Sequence, residues 1–370
     1  MFGRTLTLYF GAQFAKIVIA IIVGAGLLIS AVVMIEFLNR ALIGGGTIGL
    51  PLLLLVLFRV PGVLEDALPF AILYGSIAAF VVANRRLEVV VARAAGVSAI
   101  QFLIPACVVG LLIGLIGTTL YNPVAAELRA ASDRMRAEAL YGGGNKEAAP
   151  APDAESGGGA VWVRQRLGDR QAIIGSTDSF DDGLGLLGVT VYVFGADGRF
   201  VERVDSPRGR FQPGEWRFEE ASVTSADAAP RIDAMYVLPT NLSENEVKRA
   251  FLNVESVSFW GIPALIRSAR LAGVPTERYE MHYHTLIARP VLLLAMVLIA
   301  ASVSLRFSRS SDLGRMIIAG VAAGFMLYVV MKISLDLGRG GIVPPPLAAW
   351  LPAIIATLAG MTVLLHLEDG

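Results

Sequence analysis

At 370 residues the chain could hold two or three ordinary domains. Its 55% hydrophobic and 17% charged residues and mean hydropathy of +0.64 exclude an ordinary soluble composition. The 31 basic residues balance 31 acidic ones, so net charge offers nothing to a nucleic-acid binder working by counterion release. The charge is unevenly spread: 23 of the 31 acidic and 18 of the 31 basic residues fall between Asn122 and His282. A polar middle separates two apolar ends.

Crossing the hydrocarbon core takes about 20 apolar residues. Six runs meet or approach that length: Ile17 to Leu38, Val63 to Ala83, Ala99 to Tyr121, Thr285 to Leu305, Met316 to Leu335 and Leu347 to His366. The first is long for a signal peptide and has no small-x-small cleavage site, so it is expected to be a retained span. An extra apolar piece, Ile48 to Phe58, either lies along the interface or extends the second span. The single cysteine, Cys107, sits inside an apolar run, so no intramolecular disulfide can form.

Positive charge in short loops orients the spans. Arg4 precedes span one, Arg85, Arg86 and Arg93 follow span two, and Arg306, Arg309 and Arg315 follow span four, while the opposite loops carry only Arg40, Arg59 and Arg339. Both termini are therefore expected in the cytoplasm of a bacterial cell, the protein crossing its inner membrane several times with the polar middle in the periplasm.

That middle opens with YGGGNKEAAPAPDAESGGG, a low-complexity linker that cannot bury a core. Six short, partly alternating segments follow, starting at Ala160, Arg170, Gly188, Arg199, Glu215 and Arg231. Turn signals at Gly168-Asp169, Ala196-Asp197-Gly198 and Pro213-Gly214 separate them. The pattern predicts an antiparallel β domain of sandwich or jelly-roll kind, either an open groove or a filled core. Ser243 to Glu246 reads as a capping box opening a helix through Phe251, and a second amphipathic helix spans roughly Ile262 to Leu271.

The fold class is thus an α+β membrane protein with six transmembrane helices, three plus three, around an inserted periplasmic antiparallel β-jellyroll-like domain. Its parts are 1–121, a cytoplasmic helix at 85–97 within them, a connector and linker at 122–159, the β domain at 160–240, a helical return at 241–282 and the last spans at 283–370.

No P-loop motif occurs, so any ATP and Mg belong to a partner and the chain itself is expected to bind no cofactor. His282 and His284 are two apart, on different faces of a helix, and read as an interfacial pair at the start of span four, not a metal site. No nucleophile motif is present, and a non-catalytic role is expected. Charges beside the spans remain: Glu36 and Arg40 at the outer end of span one, Glu65 and Asp66 opening span two, Arg59 before Pro61, and Lys332 with Asp336 near the outer end of span five. Lys332 and Asp336, at i and i+4, form either a local salt bridge or part of a polar lining for an amphiphile's headgroup.

In the loop after span two, Leu87, Val90, Val91 and Ala94 share one helical face, with Arg86, Glu88 and Arg93 elsewhere around it. Three valines in such a loop need cover, from the bilayer surface or from a groove on an ATPase.

Here the sequence resembles the LptF/LptG permeases of the lipopolysaccharide export ABC transporter, and most of all their LptG branch. The likeness rests on LEVVVARAAGVS (Leu87 to Ser98), YNPVAAE (Tyr121 to Glu127), RAEALYGG (Arg136 to Gly143) and LPTNL (Leu238 to Leu242). SVSFWGIPALI (Ser256 to Ile266), the span-four run Ala288 to Phe307 and GIVPPPLAAWLPA (Gly341 to Ala353) complete it. The resemblance implies a heterodimer with an LptF-like permease, seated on an LptB-like ATPase dimer. The pair would extract lipopolysaccharide and pass it through β-jellyroll domains toward LptC-like and LptA-like proteins. It places Arg86, Leu87, Glu88, Val91 and Arg93 in a coupling helix on the ATPase, closed by Gly96, and makes spans one and five flank the lipid cavity. Where some members carry a lysine near the outer end of span one, this sequence has Glu36; Arg40 and Arg59 are the residues suited to lipid phosphates in its place. A lipoprotein-releasing or efflux-type permease, or a membrane-anchored periplasmic sensor or enzyme, is the competing reading.

Overall fold

The computed structural model describes residues 4–43, 50–94, 96, 98–141, 161–167, 170–195, 198–225, 229–251, 254–271, 276–306 and 313–369. Six of its helices are long and apolar enough to cross a membrane. Each outruns the apolar stretch that marks it: α1 is Arg4–Ile43, α2 Leu50–Arg85, α8 Glu277–Arg306, α9 Leu313–Arg339 and α10 Pro345–Asp369. Most of the apolar piece ending at Phe58 lies in α2 and so extends span two. The short helix after span two, α3, is Glu88–Ala94. Span three begins as α4, Ala99–Ile116, passes through a π-helical turn at Gly117–Tyr121, and continues as α5, Asn122–Tyr141. The first half of the expected connector is therefore helix; the glycine-rich linker lies outside the described residues.

Within the membrane unit, α2 and α8 are the inner helices, with 61% and 67% of their apolar windows buried, against 17% for both α1 and α9. Helices in lipid associate by close packing, which small residues permit. A Cβ at Gly114 would lie 2.5 Å from Pro290 Cα, and one at Gly110 would lie 2.7 Å from a Val297 methyl, so α4 meets α8 almost backbone to backbone. Gly320 and Gly324 of α9 make room for the side-chain ends of Ile77 and Leu73 of α2.

The unit inserted between the two groups of spans is a six-stranded antiparallel sheet in simple sequence order, β1-β2-β3-β4-β5-β6, each strand paired with the next. The strands are β1 Val161–Leu167, β2 Arg170–Phe180, β3 Gly185–Phe194, β4 Phe200–Gln212, β5 Glu215–Ser225 and β6 Arg231–Pro239. All six expected segments are strands. The turn glycines Gly198 and Gly214 sit at φ +75° and +92°, where a side chain would be strained. In β3, Val189, Val191 and Val193 are buried while Thr190, Tyr192 and Phe194 are less so, the period of two that a one-sided sheet requires.

The sheet curls until its first strand meets the end of its last. Thr240 Oγ1 donates to Gln165 Oε1 at 2.6 Å, and Gln165 Nε2 donates to the Pro239 carbonyl at 3.3 Å. The interior is filled: Trp216 stacks on Phe218 at 6.1 Å and meets Phe251 edge-on at 5.6 Å. Phe251 and Val247 come from α6, Glu244–Phe251, which closes the core. Its capping box forms in both directions, Ser243 N donating to Glu246 Oε2 at 2.7 Å and Glu246 N to Ser243 Oγ at 3.4 Å. Burial raises the Tyr236 phenol above its ordinary value, and the bond it donates to Glu202 at 2.6 Å adds to the shift. That contribution to stability is complete below pH about 10 and is lost as pH rises through the raised value. The return path then runs through a 3-10 turn, Val254–Ser256, and α7, Ile262–Leu271, into α8.

The α4–α8 contact gives a direct test. Gly114→Leu should cost at least about 1–3 kcal/mol, because the overlap is with backbone, whereas Gly24→Ala, with nothing within 4 Å of its Cβ position, should not lower the melting temperature of the detergent-solubilised protein.

Candidate transport site and its supports

Towards the C-terminal end of α1, α1 and α2 enclose a cleft of about 280 Å³. Leu28, Ile29, Val32, Val33, Glu36 and Phe37 come from one face of α1, and Arg59 and Val63 from α2. The walls are aliphatic and the rim is charged, the division an amphiphile needs. Arg59 reaches Asp133 of α5 at 3.4 Å while its side chain stays 35% exposed. Glu36 and Arg59 thus line one cleft; the side chain of Arg40 lies outside the described ones. Lys332 and Asp336 form a pair at 3.7 Å on α9, both half exposed, the local salt bridge their spacing allows. Exposed pairs of this kind contribute about 0–1 kcal/mol.

Behind the cleft lies a buried polar network that sequence reasoning did not assemble. Arg289, in the second turn of an otherwise apolar run, donates to Glu65 of α2, and both are buried. Asn122 Nδ2 donates to the same carboxylate oxygen at 2.8 Å, and Asn122 Oδ1 accepts the Phe259 backbone N–H at 2.8 Å. Beside it, Trp260 Nε1 donates to the Thr119 carbonyl at 3.1 Å and Tyr121 OH to the Pro61 carbonyl at 2.9 Å. Thr119 and Tyr121 both lie in the π turn, and such turns are frequent at functional sites.

A second group flanks the first. Arg129 of α5 donates to Glu255 at 2.5 Å and to Asp66 at 3.3 Å. Gly62 makes room for it, since a Cβ there would lie 2.5 Å from Arg129 Nε. Asp133 accepts from Ser256 Oγ at 3.2 Å, and Arg339 at the outer end of α9 lies 3.9 Å from Glu255. Spans two, three, four and five and the return segment that follows the β domain are all tied here. Arg129, Asp133, Glu255 and Arg289 were not singled out from the sequence; the one available signal was an arginine inside an apolar span, at 289. His282 and His284 lie in the first two turns of α8, the His284 ring against Tyr283.

At the opposite face α3 forms a corner. Leu87 adopts φ +60°, which turns the chain out of α2, so the helix starts at Glu88 and not near Arg85 as the sequence pattern suggests. Gly96 at φ +81° follows its end, the conformation glycine favours there. Leu87, Val90 and Val91 are exposed at 59%, 54% and 65%, with Ala94 on the same side, while Val89 and Ala92 pack into the membrane core. Glu88 points inward, its side chain 15% exposed, and Arg86 lies outward, 4.0 Å from it. The side chain of Arg93 lies outside the described ones.

Six membrane helices in two groups of three, an inserted β domain, a charged-rimmed cleft at one face and an exposed apolar helix at the other define a multi-pass membrane protein of permease type. The family model for the lipopolysaccharide export system permease LptF/LptG matches residues 8–366, and the chain belongs to that family. It is similar to the lipopolysaccharide export system permease protein LptG of Escherichia coli K12, 22% identical over 316 residues, or 84% of each chain. It is also similar to LptG of Haemophilus influenzae, 23% identical over 311 residues, or 80% of each chain. The segments that carried the resemblance supply the buried network: Tyr121 and Asn122, Ser256, Phe259 and Trp260, and Arg289.

A buried pair that loses one partner leaves an uncompensated charge, which costs about 3–5 kcal/mol. Glu65→Leu should therefore lower stability sharply, and adding Arg289→Met should recover most of the loss; chemical denaturation in detergent of the single and double variants measures both.

Proposed function

We propose that this chain is one permease subunit of an ATP-driven exporter in the bacterial inner membrane that lifts lipopolysaccharide out of the bilayer and hands it to periplasmic proteins. Both termini lie in the cytoplasm and the β domain in the periplasm. The chain contributes no nucleotide chemistry; an LptB-like ATPase dimer hydrolyses ATP with its own Mg and docks on α3. The observation that carries the reading is the face of Leu87, Val90 and Val91, three aliphatic side chains more than half exposed on a helix whose other side is packed. A protein groove that buried them would gain about 25 cal/mol for each Å² removed from water.

The same economy applies to spans one and five. A cleft of about 280 Å³ is at the low end for ligand sites and far too small for a multi-chain lipid, so one chain supplies only part of the cavity. An LptF-like permease packed along α1 and α9 would complete it. Acyl chains lie against Leu28, Val32 and Val33, and Arg40 and Arg59 take the phosphates, with Arg59 leaving Asp133 to do so. Glu36, on the same rim, disfavours an anion that is not held by those arginines. On the β domain, β6 is an edge strand exposing Ile232, Met235 and Val237, and a LptC-like or LptA-like β partner would add there.

A detergent pull-down of the tagged chain from its native cell tests the reading. An ATPase and a second six-span permease should come down with the natural sequence, and Val91→Asp should strip the ATPase while leaving the other permease. Retention of the ATPase by Val91→Asp, or its absence from the natural complex, would contradict the docking face.

A further inference from the structure

We propose that the outward face of strands β1 to β4 is a platform that binds an anionic sugar chain; the choice of sugar as occupant rests on the transporter reading above, whose cargo has a carbohydrate part. Strand register lays the platform out as two adjacent rows. Arg164, Ile173, Tyr192 and Arg203 are successive cross-strand partners in one, and Trp162, Gly175, Thr190 and Asp205 in the other. Side chains along a strand alternate between faces, and the neighbours Val163, Ile174, Val191 and Val204 lie in or against the core. Both rows therefore point away from Trp216 and Phe218.

Trp162 is out of place for a residue that only has to fold. A tryptophan ordinarily covers its large apolar body, as the buried Trp216 does in this domain, whereas Trp162 is 52% exposed. Its ring lies against the sheet because β2 has a glycine beneath it, where a Cβ would come within 2.4 Å of the indole. Tyr192 continues the surface, its ring plane 26° from that of the indole and its centroid 6.0 Å away. The Arg203 guanidinium follows, 5.7 Å from the centre of the Tyr192 ring. Three strand spacings separate β1 from β4, about 14 Å, the length of a short oligosaccharide.

The chemistry of the face selects its occupant. Aromatic rings carry negative charge on their faces and so attract the polarised C–H groups on the flat side of a pyranose. The polar groups around them are held in place for hydroxyls: Asp205 accepts from Arg203 at 2.9 and 2.7 Å and from Thr190 Oγ1 at 2.9 Å, and Arg164 donates to Gln171 at 2.5 Å. These bonds use only part of each guanidinium's donor fork. An arginine closes each end of the first row with a single carboxylate beside it, so a sugar bearing phosphate or carboxylate groups is favoured over a neutral one. An acyl chain is not matched, because charge brackets the rings and the interior of the domain is already filled. Nor is an added strand, which pairs with a sheet edge and not with a face.

Isothermal titration of the full chain in nanodiscs with the lipid-free oligosaccharide part of lipopolysaccharide tests the platform. The natural sequence should bind saturably, Trp162→Ala should weaken binding about tenfold or more through loss of one stacked ring, and Trp162→Phe should retain most of it. Arg203→Gln should weaken the phosphorylated oligosaccharide more than the same oligosaccharide stripped of phosphate. The phenylalanine and glutamine variants keep the test decisive if the alanine variant does not fold. Absence of saturable binding at millimolar oligosaccharide, affinity unchanged in folded Trp162→Ala, or displacement by an equal concentration of inorganic phosphate overturns the platform. So does self-association of the chain that Trp162→Ala abolishes, which would make this face a protein contact. The titration needs neither an ATPase nor a second permease. Oligosaccharide binding beside a failed pull-down therefore removes the transporter reading and leaves the platform, and the reverse result removes the platform alone.

Discussion

The membrane unit is organised around one buried ion pair, Glu65 with Arg289. Placing two charges at this depth is favourable only if both are paired and their remaining valences are filled. Asn122 fills one on the carboxylate, and its own oxygen takes the Phe259 N–H. Through those four residues the second, third and fourth spans and the return segment after the β domain are held at one height and one rotation. The π turn at Gly117–Tyr121 belongs to the same requirement, since it turns Asn122 inward and lets Tyr121 reach Pro61.

What is fixed and what is left free follow from that pair. The two inner helices, α2 and α8, share it and are mostly buried, whereas α1 and α9 lie outside it and present apolar surface for a partner or for lipid. The cleft lies between a fixed helix, α2, and a free one, α1. Arg129 with Asp66 and Glu255 extends the frame outward, where the half-exposed Arg339 touches it from α9. The β domain follows a separate logic: its interior is closed by Trp216, Phe218 and Phe251, so its core holds it together independently of the membrane helices.

Much of this was legible because local rules sufficed. All six strands announced themselves by alternation between glycine turns, α6 by a capping box and α7 by an amphipathic face ending before glycine and proline. The exposed Leu87, Val90, Val91 and Ala94 face was readable from i, i+3, i+4, i+7 spacing. Other features depend on contacts that no local pattern encodes. Residues 122–141 are polar and open with Asn-Pro, which reads as a connector; they are helical because the π turn carries span three through and because Arg129 and Asp133 find partners 60 to 130 residues away in sequence. Glu88 looked like part of an outward helix because its direction is set by the left-handed corner at Leu87, a conformation that leucine rarely takes. Arg289 stands in sequence only as an arginine inside an apolar span, since nothing near it reveals Glu65.

The central claim is that the α1–α2 cleft holds the exported lipid and that ATP hydrolysis at the far face empties it. A photo-crosslinking amino acid at Val32, in the reconstituted complex with lipopolysaccharide, tests it most directly. The account predicts a lipid adduct in the resting complex that declines when ATP and Mg are supplied with a periplasmic acceptor. An absent adduct, or one that ATP leaves unchanged while lipid is being delivered, would contradict it.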